Sequence, residues 1–330
     1  MKKIRVIHYG LGPIGCAMAR LVAQRSNLEI VGAVDINPAI IGTSLKAHAG
    51  IDSDLDVKIS GSIADVLAHT KADIVVHTTS SYFDMFKSQL LSIISHGLNI
   101  VSTAEELSFP WYHHPEEAAE VQAAALKMGV SVLGTGINPG FLMDSLPIAL
   151  TSISQRVDHL NIKRAQNAST RRGPFQKKIG ANMTAEEFKI AMASGRMGHV
   201  GLPESMAMIF AAFGKTMTQY KEKITPVIAK KQTTSSFFDV PVGRVLGLRQ
   251  VASGFSAEGE FCKMTFVAYL DNKEDRDTIK ISGSPNLKVT LEGTNGDVGT
   301  AAITINAIKR VVQAAPGLIT MKDLAPAHCD

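Results

Sequence analysis

The 330-residue chain has 45% hydrophobic and 19% charged residues and a formal net charge of +4, a balance that fits a soluble globular protein with room for two domains. Basic residues are scattered, with local groups such as Arg171-Arg172 and Lys177-Lys178, and no run of eighteen apolar residues occurs, so neither nucleic acid nor membrane is expected as a partner. Cys16, Cys262 and Cys329 are widely separated and lack disulfide or metal-ligand spacing, and the chain enters a strand without a signal-type apolar segment; a cytoplasmic protein with no metal site is expected.

The first stretch, Lys3 to Tyr9, is an apolar strand that runs into Gly10-Leu-Gly-Pro-Ile-Gly15 and a helix-periodic segment to Val22. Strand, G-x-G-x-x-G and helix in that order let backbone amides approach a pyrophosphate at a helix N-terminus. Gly10 permits the tight turn, Gly12 admits phosphate, and Gly15 lets helix and strand pack closely, while Pro13 and Ile14 begin the helix. A second strand, Leu28 to Val34, ends in Asp35, twenty residues after Gly15, where a carboxylate accepts both ribose hydroxyls. Asp35 repels a 2′-phosphate and Ile36-Asn37-Pro38 offers no arginine to receive one, so NAD is expected as cofactor, with NADP a weaker alternative.

Next come a capped helix near Ser62 to Leu67 and a short buried strand, Ala72 to Thr78. Thr78, Thr79 and Ser80 lie at its carboxyl end, where doubly wound sheets bind ligands, and are expected on the nicotinamide side; a helix N-cap role is compatible. Helical periodicity from Tyr82 to Ser95 closes at His96-Gly97, and a strand from Leu98 to Ser102 delivers Thr103-Ala-Glu-Glu-Leu107 to the same edge. A helix near Pro115 to Met128 and a strand from Val130 to Leu133 complete the pattern, followed by Gly134-Thr-Gly-Ile-Asn-Pro-Gly-Phe141. The expected fold class is α/β: a Rossmann doubly wound parallel sheet over residues 1–145, joined to a second α+β mixed-sheet domain.

That second domain is expected over 146–298, serving substrate binding and dimerisation, with residues 299–330 forming a helix and tail that pack back on the first. Strands are expected at Val157 to Lys163, Phe237 to Val245, Glu258 to Tyr269, Asp277 to Ser282 and Asn286 to Leu291, with helices near Thr184 to Ala193 and Pro203 to Phe213. The Met- and Phe-bearing second helix is expected to offer apolar surface to a homodimer.

The chain resembles the 2,4-diaminopentanoate dehydrogenase and native amine dehydrogenase family, within the dihydrodipicolinate reductase-like group. The resemblance is carried by Tyr9 to Gly15, Val101-Ser-Thr-Ala-Glu-Glu-Leu107, Gly134 to Phe141 with Met143-Asp144, Gly296 to Ala302 and Ala315 to Met321, which span nearly the whole length. Ala104 departs from the cysteine of many members, and the His-His pair and lysine of dihydrodipicolinate reductase itself have no counterpart at the matching strand end. What this implies is an NAD(P)-dependent oxidoreductase acting on CH–NH2 donors: oxidative deamination of a small amine or diamine to a ketone or aldehyde plus ammonia, and the reverse reductive amination.

The family implies one catalytic glutamate in the Glu105-Glu106 pair. Neighbours on an extended segment point oppositely, so one should reach the site. Aligning Thr103-Ala104 with the V-T-A-N-K segment of homoserine dehydrogenases puts Glu106 at the catalytic lysine, so Glu106 is preferred and Glu105 is the alternative. Asn138 is a further candidate for the nicotinamide amide or the substrate nitrogen, Thr103 for the cofactor, and Thr300 is read as a helix cap or a cofactor contact. Phe141, Arg164, Gln166, Asn167 and His199 are candidate pocket residues. Arg164, Arg171 and Arg172 also keep open a dehydrogenase of carboxylated amino acids or cyclic imines. A non-catalytic NAD-binding regulator is the third reading.

Overall fold

The computed structural model describes residues 2–193, 195 and 197–329. They divide into two compact units, Met1–Phe141 with Asn295–Asp330, and Leu142–Thr294.

In the first unit, short β-branched runs form β1 (Ile4–Tyr9), β2 (Leu28–Val34), β3 (Ile59–Ser60), β4 (Ile74–His77), β5 (Asn99–Ser102) and β6 (Ser131–Gly134). Between them lie α1 (Pro13–Ala23), α2 (Leu45–Ala49), α3 (Ile63–Leu67), α4 (Phe83–Ser95) and α5 (Pro115–Met128). Strands this short and continuously apolar are stable only when both faces are covered. Here Ile7, Val75, Ile100 and Val132 meet Phe86, Leu90 and Ile93 of α4 and Val121 and Ala125 of α5 on one side.

The second unit contains α6 (Ser145–Leu150), α7 (Gly173–Lys178), α8 (Ala185–Ala193) and α9 (Leu202–Ala212). Its strands are β7 (Arg156–Asn167), β8 (Gln219–Ile228), β9 (Thr233–Thr234), β10 (Asp239–Val240), β11 (Val245–Ser256), β12 (Gly259–Tyr269), β13 (Arg276–Ser284) and β14 (Leu287–Glu292). Six of them form a sheet in the order β14-β13-β7-β12-β11-β8, antiparallel except for the parallel pair β7 and β12. Met206, Ile209 and Phe210 of α9 pack with Leu160, Ile162, Met264 and Ile279 of the sheet.

The chain then re-enters the first unit through α10 (Gly296–Gln313) and β15 (Gly317–Ile319). β15 pairs with β6, giving a seven-stranded sheet ordered β15-β6-β5-β4-β1-β2-β3 in which every pair is parallel. The fold is α/β, a Rossmann-type parallel sheet with helices plus a separate mixed sheet.

Several expectations change. The stretch from Phe237 to Val245 holds the two-residue β10, a turn and only the first residue of β11, while β8 and the rest of β11 arise where no strand was read. β8 carries Pro226 and alternates with lysines, which an edge strand tolerates because one of its sides needs no partner. β11 contains Gly247 and Gly254, which blur its apolar alternation. Leu202 to Phe210 of α9 are all buried in their own unit, so this helix does not supply the free apolar surface expected for a dimer.

Candidate active site

The glycine turn is built for close backbone approach. Gly10 has φ +96°, and a Cβ there would lie 2.6 Å from Thr78 O; a Cβ on Gly15 would lie 2.0 Å from Gly10 O, so α1 packs directly on the turn. At Gly12, by contrast, a Cβ would meet no atom within 4 Å, and Gly12 caps α1 with no side-chain acceptor for the helix amides. The open side of the turn therefore presents unanswered amides and the positive end of the helix dipole. Pro13 begins α1, where its missing N–H costs nothing, and Ile14 follows it.

Asp35 follows β2 and is tied to this turn: its Oδ2 accepts the Leu11 amide at 2.7 Å and its Oδ1 the Asn37 amide at 2.9 Å. His48 on α2, absent from the sequence reading, contacts Leu11 O through Nε2 at 3.1 Å. A bare helix N-terminus, a turn that excludes side chains and a carboxylate fixed beside it are what a dinucleotide needs, so these residues fit NAD(P).

At the carboxyl ends of β4 and β5 the side chains interlock. Thr78 donates its hydroxyl to Gly10 O at 2.6 Å, joining β4 to the glycine turn. Thr79 donates to Gln89 Oε1 at 2.7 Å, and Ser80 Oγ accepts the Tyr82 amide at 3.2 Å. Thr103 donates its amide to the His77 carbonyl at 3.1 Å, and the Glu106 amide donates to Ser81 O at 3.2 Å.

Glu105 to Ser108 form a 3₁₀ turn, not the extended segment expected. Three residues per turn separate neighbouring side chains by about a third of a circle, so both carboxylates stay on the strand edge but reach different groups. Glu105 Oε1 accepts the Ser81 hydroxyl at 3.0 Å. Glu106 Oε2 accepts the Phe83 amide, the first of α4, at 2.5 Å, and lies 3.1 Å from His114 Nε2. With its side chain 15% exposed, Glu106 holds one oxygen against a helix N-terminus and a histidine. This anchorage engages Oε2 and leaves Oε1 for chemistry. His114 stacks on Phe83 with ring centroids 5.0 Å apart. Sequence reading missed His114, because nothing along the chain signals that it folds back on Glu106.

Asn138 precedes Pro139 through a cis peptide, and Thr300 Oγ1 accepts the Ile137 amide at 3.3 Å. Thr300 is not the cap of α10; Asn295 is, its side chain accepting the amides of Asp297 and Val298, because the helix starts four residues before Thr300. Phe141 is the last residue of the first unit before the chain enters the second, and it is partly buried.

The remaining candidates belong to the second unit. Arg164, 2% exposed, donates to Asp277 Oδ2 at 2.7 Å, and Thr294 also bonds that carboxylate. Burial pushes the Asp277 carboxyl up, with the guanidinium opposite pulling against it. Gln166 Oε1 accepts from Arg171 at 3.1 Å, while Asn167 Oδ1 caps the following turn at Ser169. His199 donates its amide to Gln250 Oε1 at 2.8 Å, its carbonyl accepts from Gln250 Nε2, and its ring lies 5.2 Å from Phe266. No group of three or more metal-ligating side chains occurs among the described residues, and no described helix is long and apolar enough to cross a membrane.

A doubly wound sheet with a dinucleotide cradle and acidic side chains at the adjacent strand end defines a nicotinamide-dependent dehydrogenase. Residues 141–329 match the 2,4-diaminopentanoate dehydrogenase C-terminal domain, and residues 4–133 match the dihydrodipicolinate reductase N-terminus. The chain is 33% identical to 2,4-diaminopentanoate dehydrogenase of Acetoanaerobium sticklandii over 98% of its own length and 94% of that protein. It is 23% identical to an amine dehydrogenase of Streptomyces virginiae, covering 97% and 96%. Among solved structures, the amine dehydrogenase of Mycobacterium smegmatis superposes with a TM-score of 0.87 at 26% identity, covering 99% of this chain and 97% of that one. The chain belongs to the 2,4-diaminopentanoate dehydrogenase family.

Proposed function

We propose that this protein catalyses NAD(P)-dependent oxidative deamination of a small amine or diamine to a ketone or aldehyde plus ammonia, and the reverse reductive amination, with Glu106 as base. The observation that carries this reading is the Glu106 carboxylate, held by the Phe83 amide and His114 at the end of β5, one strand from the turn that abuts the glycine cradle. The bound dinucleotide supplies a hydride acceptor in one direction and a donor in the other. Glu106 takes the ammonium proton and passes it to solvent, which leaves a neutral amine from which hydride can depart and a carboxylate anion to steady the iminium that forms. Glu106 then takes a proton from the water that attacks the iminium carbon. The resulting carbinolamine expels ammonia. His114, sharing Oε2, holds the carboxylate in place through both proton transfers.

Gly10, Gly12, Pro13, Ile14 and Gly15 hold the pyrophosphate in this reading, and Asp35 the ribose, with NAD favoured over NADP. Thr78, Thr79, Ser80, Thr103, Asn138 and Thr300 form the nicotinamide side. The second unit binds substrate and pairs two copies, and Cys16, Cys262 and Cys329, all free, suit a cytoplasmic location. The reading as a dehydrogenase of carboxylated substrates loses one of its three arginines, since Arg164 already faces Asp277. The test is NADH consumption with ammonia and a panel of small ketones and aldehydes. Turnover with several of them supports the proposal; turnover confined to keto acids transfers the chain to the carboxylated-substrate reading.

A further inference from the structure

One imidazole links the turn assigned to the nicotinamide with the turn that carries the base. His77 closes β4 and has no exposed surface. Its Nδ1 lies 2.8 Å from Ser102 Oγ at the end of β5, and Ser102 Oγ accepts the Ala104 amide at 3.1 Å. On the other side Nε2 lies 2.8 Å from Gln89 Oε1 on α4 and 2.9 Å from Thr79 Oγ1, while Thr79 donates its hydroxyl to the same Gln89 oxygen.

The partners fix the protons. Gln89 Oε1 can only accept, so Nε2 carries the hydrogen, and Nδ1 then accepts the Ser102 hydroxyl while the Ser102 lone pair takes the Ala104 amide. Burial pulls the ring down to about pKa 4, which keeps it neutral and this arrangement intact at ordinary pH. His8, one strand away, shows the contrast: equally buried, with both ring nitrogens unpartnered among the described residues. An apolar residue would fill the His77 position without needing three polar neighbours. An imidazole there has two differently directed arms, one toward Thr79 in the cofactor turn and one through Ser102 to Ala104, the residue before Glu105 and Glu106.

We propose that His77 is a positioning residue that sets the register of the base turn against the cofactor turn, its Nδ1 arm holding Ala104 through Ser102 and its Nε2 arm holding Thr79 with Gln89. The proposal rests on the reading above in which Glu106 is the base and Thr79 lies beside the cofactor.

The two arms can be cut separately, because an asparagine amide reaches the place of Nδ1 and a glutamine amide the place of Nε2. His77→Asn keeps the Ser102 arm and should raise the dissociation constant for NADH, read by fluorescence titration, about tenfold, with a kcat loss of no more than about threefold. His77→Gln keeps the Thr79 arm. It should bind NADH within about twofold of the parent yet lower kcat at saturating amine about ten- to a hundredfold. Ser102→Ala should reproduce the kcat loss of His77→Gln, and the two together should add little to either. Where a His77 variant does not fold, Ser102→Ala carries the kcat arm and Thr79→Val the binding arm. Losses of thermal stability alone, or equal losses of NADH binding and kcat in both His77 variants, overturn the proposal. Glu105→Gln and Glu106→Gln run alongside separate the two ideas: if both keep full turnover, the glutamate reading fails, while the NADH titration still judges the Thr79 arm.

Discussion

In the proposed reading, cofactor choice turns on Asp35. Its carboxylate is held by the amides of Leu11 and Asn37, so it cannot swing away from a 2′-phosphate without giving up two hydrogen bonds. Higher kcat/KM with NAD⁺ than with NADP⁺ is expected, and Asp35→Ser should narrow the ratio; a native preference for NADP⁺ would contradict the assignment. His8 makes a different kind of prediction. Burial lowers its pKa to about 4 from an ordinary 6.5, so the unfolded chain takes up a proton that the native chain refuses. His77 behaves likewise. Both therefore contribute stability that is fully present above about pH 6.5 and is lost as pH falls toward 4. His8→Leu removes two unpartnered buried nitrogens and should raise stability by about 1 kcal/mol at pH 7, with a larger gain at pH 5. Denaturant melts of the two proteins at both pH values check it, and a loss of stability at pH 7 would mean that His8 has a partner.

At the level of elements, the sequence was most legible where a local rule and the tertiary fold agree. The glycine turn, Asp35, and the strands ending in Thr78 and Ser102 are each short apolar runs bounded by turn residues, and β4 and β5 appear within two residues of where they were read. β15 was not legible, since the three residues Gly317–Ile319 become a strand only because β6 is there to pair with. The same holds for the His77 network, whose members lie twelve and 25 residues apart along the chain and meet only when β4, β5 and α4 assemble. Thr300 was misread as a possible cap because α10 was started too late. With Asn295 as the true cap, Asn295→Ala should cost about 1 kcal/mol, measured by denaturant midpoint, whereas Thr300→Ala should leave the helix start intact and act instead on the Ile137 segment.

For the whole molecule, the chain leaves the first unit after Phe141 and returns at Asn295, so the second unit is an insertion into the dinucleotide-binding one. A homodimer through the second unit is the expected assembly. The apolar helix α9 cannot be its surface, being buried in its own core. A dimer mass by light scattering is expected at micromolar concentration, and a monomer would refute the pairing. The proposed chemistry depends on one carboxylate, that of Glu106. The measurement that tests it most directly compares Glu106→Gln and Glu105→Gln for turnover in both directions alongside NADH affinity. Loss of general acid and base assistance is worth about a hundred- to ten-thousandfold, so Glu106→Gln should lose activity on that scale in amine oxidation and reductive amination, with NADH binding within a few-fold and Glu105→Gln much milder. Near-normal turnover in both variants would contradict it.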